Sequence, residues 1–153
     1  MRTTKKPARF KVKAWGKLPR FAFIGAKMRA FLAPQDTGDM SCYHIVLPGR
    51  GTIPPAYHRK AVELIWIIKG GGVAKMGPRS VRLKRGDSLL IRPTTPHGFT
   101  AGSSGMTFLA VLSPRVDSRT DYYACSGSHH APPRALSGRL VEGREAAGRG
   151  RMN

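Results

Sequence analysis

Two histidines and one glutamate carry the chemistry most open to this chain. His58 lies in "AYHRKAVELIWIIKGGG", residues 56–72; Glu63 follows it five positions later, and His97 closes the stretch "GDSLLIRPTTPH". Two imidazoles and a carboxylate facing one point match the composition of a facial triad, which holds a divalent metal on one side and leaves positions open opposite. Iron(II) is the metal such a set suggests, and manganese, nickel and zinc are compatible with the same donors.

On one uninterrupted strand the odd separation turns His58 and Glu63 to opposite faces. Convergence therefore requires a bend, and "RKAV" is the place for it, with Glu63 opening the next strand. His97 follows the loop from Pro93 to Pro96, so closure of a sheet has to return it to Glu63. A carboxylate suits the mouth of so apolar a strand, where a cation or hydrogen bonds neutralise it; deeper it would be an uncompensated buried charge.

The elements that must position these groups read as strands. "KMRAFL" alternates Met28, Ala30 and Leu32 against Lys27 and Arg29, as a half-buried strand does. "CYHIVL", "ELIWIIK", "VAKM", "SVRLK", "SLLIR" and "MTFLAVL" follow in β-favouring residues, with turns expected at Gly70 to Gly72, Gly77-Pro78, Arg85-Gly86-Asp87 and "AGSSG". With 18 Gly, 12 Pro and no helix-period segment between the strands, the chain is expected to be all-β, a sandwich or barrel over residues 21–116. "LIWIIK" is apolar at successive positions, so both its faces should be covered, one by the barrel interior and the other by a second sheet or a partner subunit. Residues 1–20 read as a basic arm. After Pro114 the apolar pattern fades, and residues 117–153 are expected to form a mostly disordered C-terminal tail.

The 153 residues suit one domain and carry a formal charge of +19. Such a field attracts nucleic acid, anionic lipid or acidic small molecules without choosing among them. Residues 1–50 hold eleven Lys or Arg against two acids, and residues 101–153 seven against four, so the excess belongs to the arm and body. Lys5, Lys6, Arg9, Lys11 and Lys13, with Phe10 and Trp15 for stacking, are the candidate nucleic-acid contacts; the chain shows no recognised nucleic-acid motif beside them. No run approaches the length of a membrane span, and the N-terminus lacks a signal peptide's apolar region. Cys42 and Cys125 are too few for a metal-binding cysteine cluster or a disulfide framework, which points to a reducing cytoplasm.

The two stretches resemble the paired motifs of the cupin superfamily. The first is matched by Gly49 and Gly51, Pro54-Pro55, His58, Glu63 and Gly70; the second by Gly86-Asp87, an apolar strand, Pro93 and His97, with "HGF" as its ending. The resemblance implies a cupin-type double-stranded β-helix, a jelly-roll barrel, often dimeric through a sheet surface. It also implies a site of three histidines and one glutamate. This chain supplies His58, Glu63 and His97, while Ala56 stands at the first histidine position, Arg92 where a proline is expected, Thr94 in place of a glycine and Ala101 in place of a late asparagine. His44 replaces the missing ligand only if its strand turns it inward. His129 and His130 fall in the expected tail, where a site has no rigid support.

Two functional classes follow. One is a metal-dependent dioxygenase or isomerase acting on a small acidic or hydroxylated molecule, with Arg92 attracting an anionic substrate at the mouth. The other is a non-enzymatic sensor or binding module whose metal site is degenerate, resembling the ligand-binding barrels of arabinose-type transcription regulators. A homodimer is expected for either.

Overall fold

Alternating burial along the chain produces nine strands among the described residues of the computed structural model, which are 9–32, 36–117 and 120–125. A 3-10 turn, Trp15–Lys17, precedes β1 (Arg20–Phe23), β2 (Ala26–Ala30), β3 (Ser41–Leu47), β4 (Thr52–Tyr57), β5 (Val62–Met76), β6 (Arg79–Lys84), β7 (Ser88–Ile91), β8 (His97–Ser113) and β9 (Tyr123–Ala124). All pairings are antiparallel. The strands form one curled sheet in the order β1-β2-β3-β8-β4-β9, with β5 joined to β6, β7 and β8. Among the described residues no helix is long and apolar enough to cross a membrane.

The turns expected at Gly70 to Gly72 and at "AGSSG" do not interrupt the sheet. β5 runs for 15 residues and β8 for 17, and the two pair along both halves of their length, slipping register near Ile67–Lys69 and Gly70–Gly72. The glycines serve close approach and bending: Gly70 has φ +69°, and a Cβ there would collide with the carbonyl oxygen of Gly105. At Gly72 a Cβ would meet that of Thr100. A glycine run reads as a turn in sequence, yet in a bulged strand it is equally what crowded backbones require.

Along β5, Glu63, Ile65 and Ile67 point inward and are buried. They join Leu47, Ile91, Met106 and Phe108 in the interior, where each large apolar side chain contributes about 1.5–3 kcal/mol. The outward residues Val62, Leu64 and Trp66 remain 38%, 43% and 49% exposed, with Leu90 of β7 at 56%. The second cover expected for this strand is therefore not provided by the described residues.

The arm and tail are more attached than the sequence suggests. Leu18 is buried, and Trp15 packs edge-on against His44 with Arg29 over its face. Lys11 pairs with Asp36 at 2.7 Å. Lys13 pairs with the same carboxylate and donates to the Phe31 carbonyl at 2.8 Å. These contacts join segments 18 to 25 positions apart, which local pattern cannot reveal. At the other end, β9 pairs with β4 through Ala56–Ala124 and Tyr57–Tyr123. Asp117 and residues 120–125 thus belong to the folded body, at the start of the segment expected to be a mostly disordered tail; a two-residue strand is too short to show a period. Residues 126–153, with His129 and His130, lie outside the described residues.

Candidate metal centre

The bend expected between His58 and Glu63 is present: β4 ends at Tyr57, residues 59 and 60 bend, and β5 starts at Val62. β8 begins at His97, which pairs with Ala56 on one side and Met76 on the other. The sheet thereby gathers His58, Glu63 and His97, each only 6% exposed. One ligand atom from each lies within 4.8 Å of the others.

Tautomers are set from behind. His58 Nδ1 lies 2.6 Å from the Asp121 carbonyl oxygen and His97 Nδ1 2.8 Å from that of Thr95. A carbonyl accepts only, so both Nδ1 atoms carry the proton and donate. Each Nε2 then offers a lone pair toward Glu63 Oε2, at 3.5 Å from His58 and 2.9 Å from His97. Despite this closeness Oε2 is buried without a hydrogen-bond donor. Three electron-rich atoms facing one another require a positive charge between them, either a proton on an imidazole or a cation. The donor set, its carbonyl-backed histidines and the orphaned oxygen all fit a divalent metal.

The titration behaviour has the same cause. Burial pushes the Glu63 carboxyl up, but the two imidazoles, which in their protonated form donate to it and carry positive charge, overturn that and hold it at about 2. For His58, burial favours the neutral ring; the Glu63 carboxylate and the Asp121 carbonyl outweigh it and raise the pKa above its ordinary 6.5.

Above the triad lies a cavity of about 400 Å³, walled largely by apolar and aromatic side chains that include Phe21, Phe23, Ile53, Phe99 and Phe108. That volume suits a small organic molecule. Tyr122 lines it too, edge-on to Phe23 at 5.2 Å, and burial together with the Glu63 charge pushes its hydroxyl up to about 12. It therefore stays protonated and able to donate. Arg115 and Asp117, 3.2 Å apart, are the other charged side chains of the lining.

Arg92 is exposed and absent from the cavity wall; Arg115 is the arginine that the fold brings there. His44 packs edge-on against Trp15 outside the barrel and cannot complete the ligand set. Ala56 is buried and lines the cavity, so the missing histidine leaves open space. Thr94 adopts φ +65°, a left-handed conformation that is strained for a β-branched residue and that the glycine expected there would adopt without strain. Its N–H donates to the His58 carbonyl at 2.6 Å. Of the candidate nucleic-acid contacts, Lys11 and Lys13 are paired with Asp36 and Arg9 is exposed; Lys5 and Lys6 lie outside the described residues. Sequence reasoning missed Arg115, Asp121 and Tyr122 because they follow the point where apolar periodicity fades.

The family description "Cupin domain" matches residues 43–112. No curated protein matches the sequence. Among solved structures, Streptomyces PAC13 with uridine superposes with a TM-score of 0.66 at 13% identity, covering 76% of this chain and 92% of that one; PAC13 is described as a nucleoside dehydratase. The polyketide cyclase RemF from Streptomyces resistomycificus gives 0.60 at 17% identity, covering 69% and 79%. An RmlC-like cupin from Shewanella frigidimarina gives 0.59 at 16% identity, covering 71% and 92%. At these identities the likeness concerns the fold, a jelly-roll barrel, and the domain match identifies residues 43–112 as a cupin domain.

Proposed function

We propose that this protein binds one divalent metal ion through His58 Nε2, Glu63 and His97 Nε2, and admits beside it a small hydroxylated or acidic molecule with a mainly apolar body. The observation that carries this reading is the buried Glu63 Oε2, without a hydrogen-bond donor and faced by two imidazole nitrogens whose rings are fixed from behind by carbonyls. When bound, the metal supplies Lewis-acid polarisation of a ligand oxygen, and iron adds redox capacity; dioxygenase or isomerase chemistry is the reaction class that follows. The chain's own part is to exclude water with the aromatic wall, to orient the ligand's apolar body, and to donate a hydrogen bond from Tyr122. The reading gains support from the kinds of protein that share the fold, a nucleoside dehydratase and a polyketide cyclase among them.

Titrating chelator-stripped protein with Fe(II), Mn(II), Ni(II) and Zn(II) in a calorimeter tests it, with one equivalent bound as the expected result. Metal displaces the His58 proton, so affinity falls about tenfold per pH unit below the raised His58 pKa. The metal-free protein has the opposite slope. Because the folded-state pKa of His58 is raised, its stabilising contribution is complete below 6.5 and is lost as pH rises through the folded value. Glu63, already ionised, adds no slope between pH 6 and 8, since its contribution is lost only as pH falls toward 2. Absence of binding for all four metals at pH 8 rejects the metal centre.

One observation favours a second reading: Ala56, buried and facing the cavity, leaves three protein donors among the described residues. A binding module without metal would use the same cavity, with a proton serving in place of the cation. Ligand-dependent thermal stabilisation that persists in chelator selects it.

The proposal includes a homodimer. Trp66 and Leu109 are directly paired, as are Leu64 with Val111 and with Leu90, so these side chains make one outward apolar row free of charge in a chain of +19. A second copy presenting the same row covers it without burying a charge. Sedimentation is expected to give the mass of two chains, and Trp66→Lys that of one; a monomeric wild type removes the dimer.

A further inference from the structure

The geometry points to Asp121 as a positioning residue for His58, an inference that rests on the metal reading above. Asp121 lies just ahead of β9, in a segment whose composition suggested no structure. Its carboxylate accepts three successive amides of the bend that follows His58: Arg59 N to Oδ1 at 2.6 Å, and Lys60 N and Ala61 N to Oδ2, each at 2.9 Å. Its carbonyl oxygen accepts from His58 Nδ1 at 2.6 Å. One residue thus satisfies four donors of the loop that must turn the chain from His58 to Glu63.

Both grips depend on an uncommon backbone. Asp121 has φ +56°, a left-handed conformation that aspartate and asparagine tolerate better than most residues. It directs the carbonyl at the imidazole while the side chain reaches the amides. Without the carboxylate, the exposed Arg59 and Lys60 amides would turn to water while the part-buried Ala61 amide would have to find another acceptor, and the bend would lose its fixed shape. β9 then ties the segment to β4 beside Ala56, and Tyr123 stacks on Tyr57 with centroids 5.4 Å apart. His97 is held independently by Thr95, so the two imidazoles have separate supports.

That independence supplies the control. In metal-free full-length protein, the imidazole nitrogens are observed by long-range ¹H–¹⁵N NMR for wild type and Asp121→Ala, and Co(II) affinity is measured by competition. The expected result is that His58 loses its fixed Nδ1–H form while His97 keeps its own, and that Co(II) affinity falls about 10- to 100-fold, as for other residues that orient a ligand from behind. Unchanged His58 signals overturn the proposal whatever the affinity does. So does an equal change at both histidines, which would mean general loosening of the barrel. Should Asp121→Ala fail to fold, Asp121→Asn decides by the same signals: it keeps the turn preference but has one acceptor oxygen for three amides. A wild type that takes up neither Co(II) nor any of the four metals titrated above sinks the metal reading, while the imidazole signals of the metal-free chain still decide the role of Asp121.

Discussion

Glu63→Gln is expected to lower metal affinity by more than about a hundredfold, beyond the 10- to 100-fold cost of losing a group that merely orients a ligand. The carboxylate is buried, lies 2.9 Å from His97 Nε2 and is held at about 2, so it is an anion at neutral pH. The amide is nearly the same shape but neutral, and its NH₂ donates to an imidazole lone pair. It therefore removes the charge that a cation needs and fills the place the cation would take. The barrel itself should survive, because replacing a buried charge by a neutral hydrogen-bonding group of the same volume avoids the cost of desolvating it. Metal content after dialysis and the far-ultraviolet circular dichroism check the two halves separately. A Glu63→Gln variant that binds metal as tightly as the wild type would mean that the metal sits elsewhere or is not bound.

Ala56→His is expected to do the reverse and tighten metal binding by about ten- to a hundredfold, one protein ligand being worth about one to two times the 1.4 kcal/mol that separates decades of affinity. Ala56 pairs directly with His97 across β4 and β8, so their Cβ atoms stand on one face about 4.5–5.5 Å apart. Ala56 is 3% exposed and faces the cavity, which leaves room for an imidazole to reach the point that the other three donors share. The same imidazole occupies part of the roughly 400 Å³, so whatever small molecule the wild type admits should bind more weakly in the variant. Calorimetric titration with Zn(II) reads the first effect, and thermal-shift screening against a panel of hydroxylated aromatic acids reads the second. Unchanged metal affinity in a folded variant would show that the three native donors do not converge on the space beside Ala56.

The contrast between these two positions bears on how much was legible beforehand. His58, Glu63 and His97 could be singled out because a facial triad needs particular residue types and because the motifs around them are local in sequence. Their convergence needed only two inferences, a bend in "RKAV" and a sheet that closes, and both are present. Arg92 was expected to attract an anionic substrate if it lay at the mouth, but a strand end that faces solvent keeps it out of the cavity. Arg115, which lines the cavity instead, follows the last long strand and carries no periodic signal. The glycine run at 70–72 was read as a turn because glycine permits one; the crowding of Gly70 against Gly105 that keeps it in the strand depends on a partner far along the chain.

The residue pattern alone therefore determined an all-β sandwich or barrel and the three side chains with metal-ligand chemistry, since alternation of period two and donor type are properties of neighbours. Tertiary structure alone decided which histidine nitrogens carry protons, that Asp121 and Tyr122 belong to the site, how apolar the cavity is, and that the outer row of β5 lies bare. Each of these depends on groups brought together across the sheet, such as His58 and Asp121, 63 positions apart. Hydrogen-bond direction and burial are set by such distant partners, and no window of adjacent residues contains them.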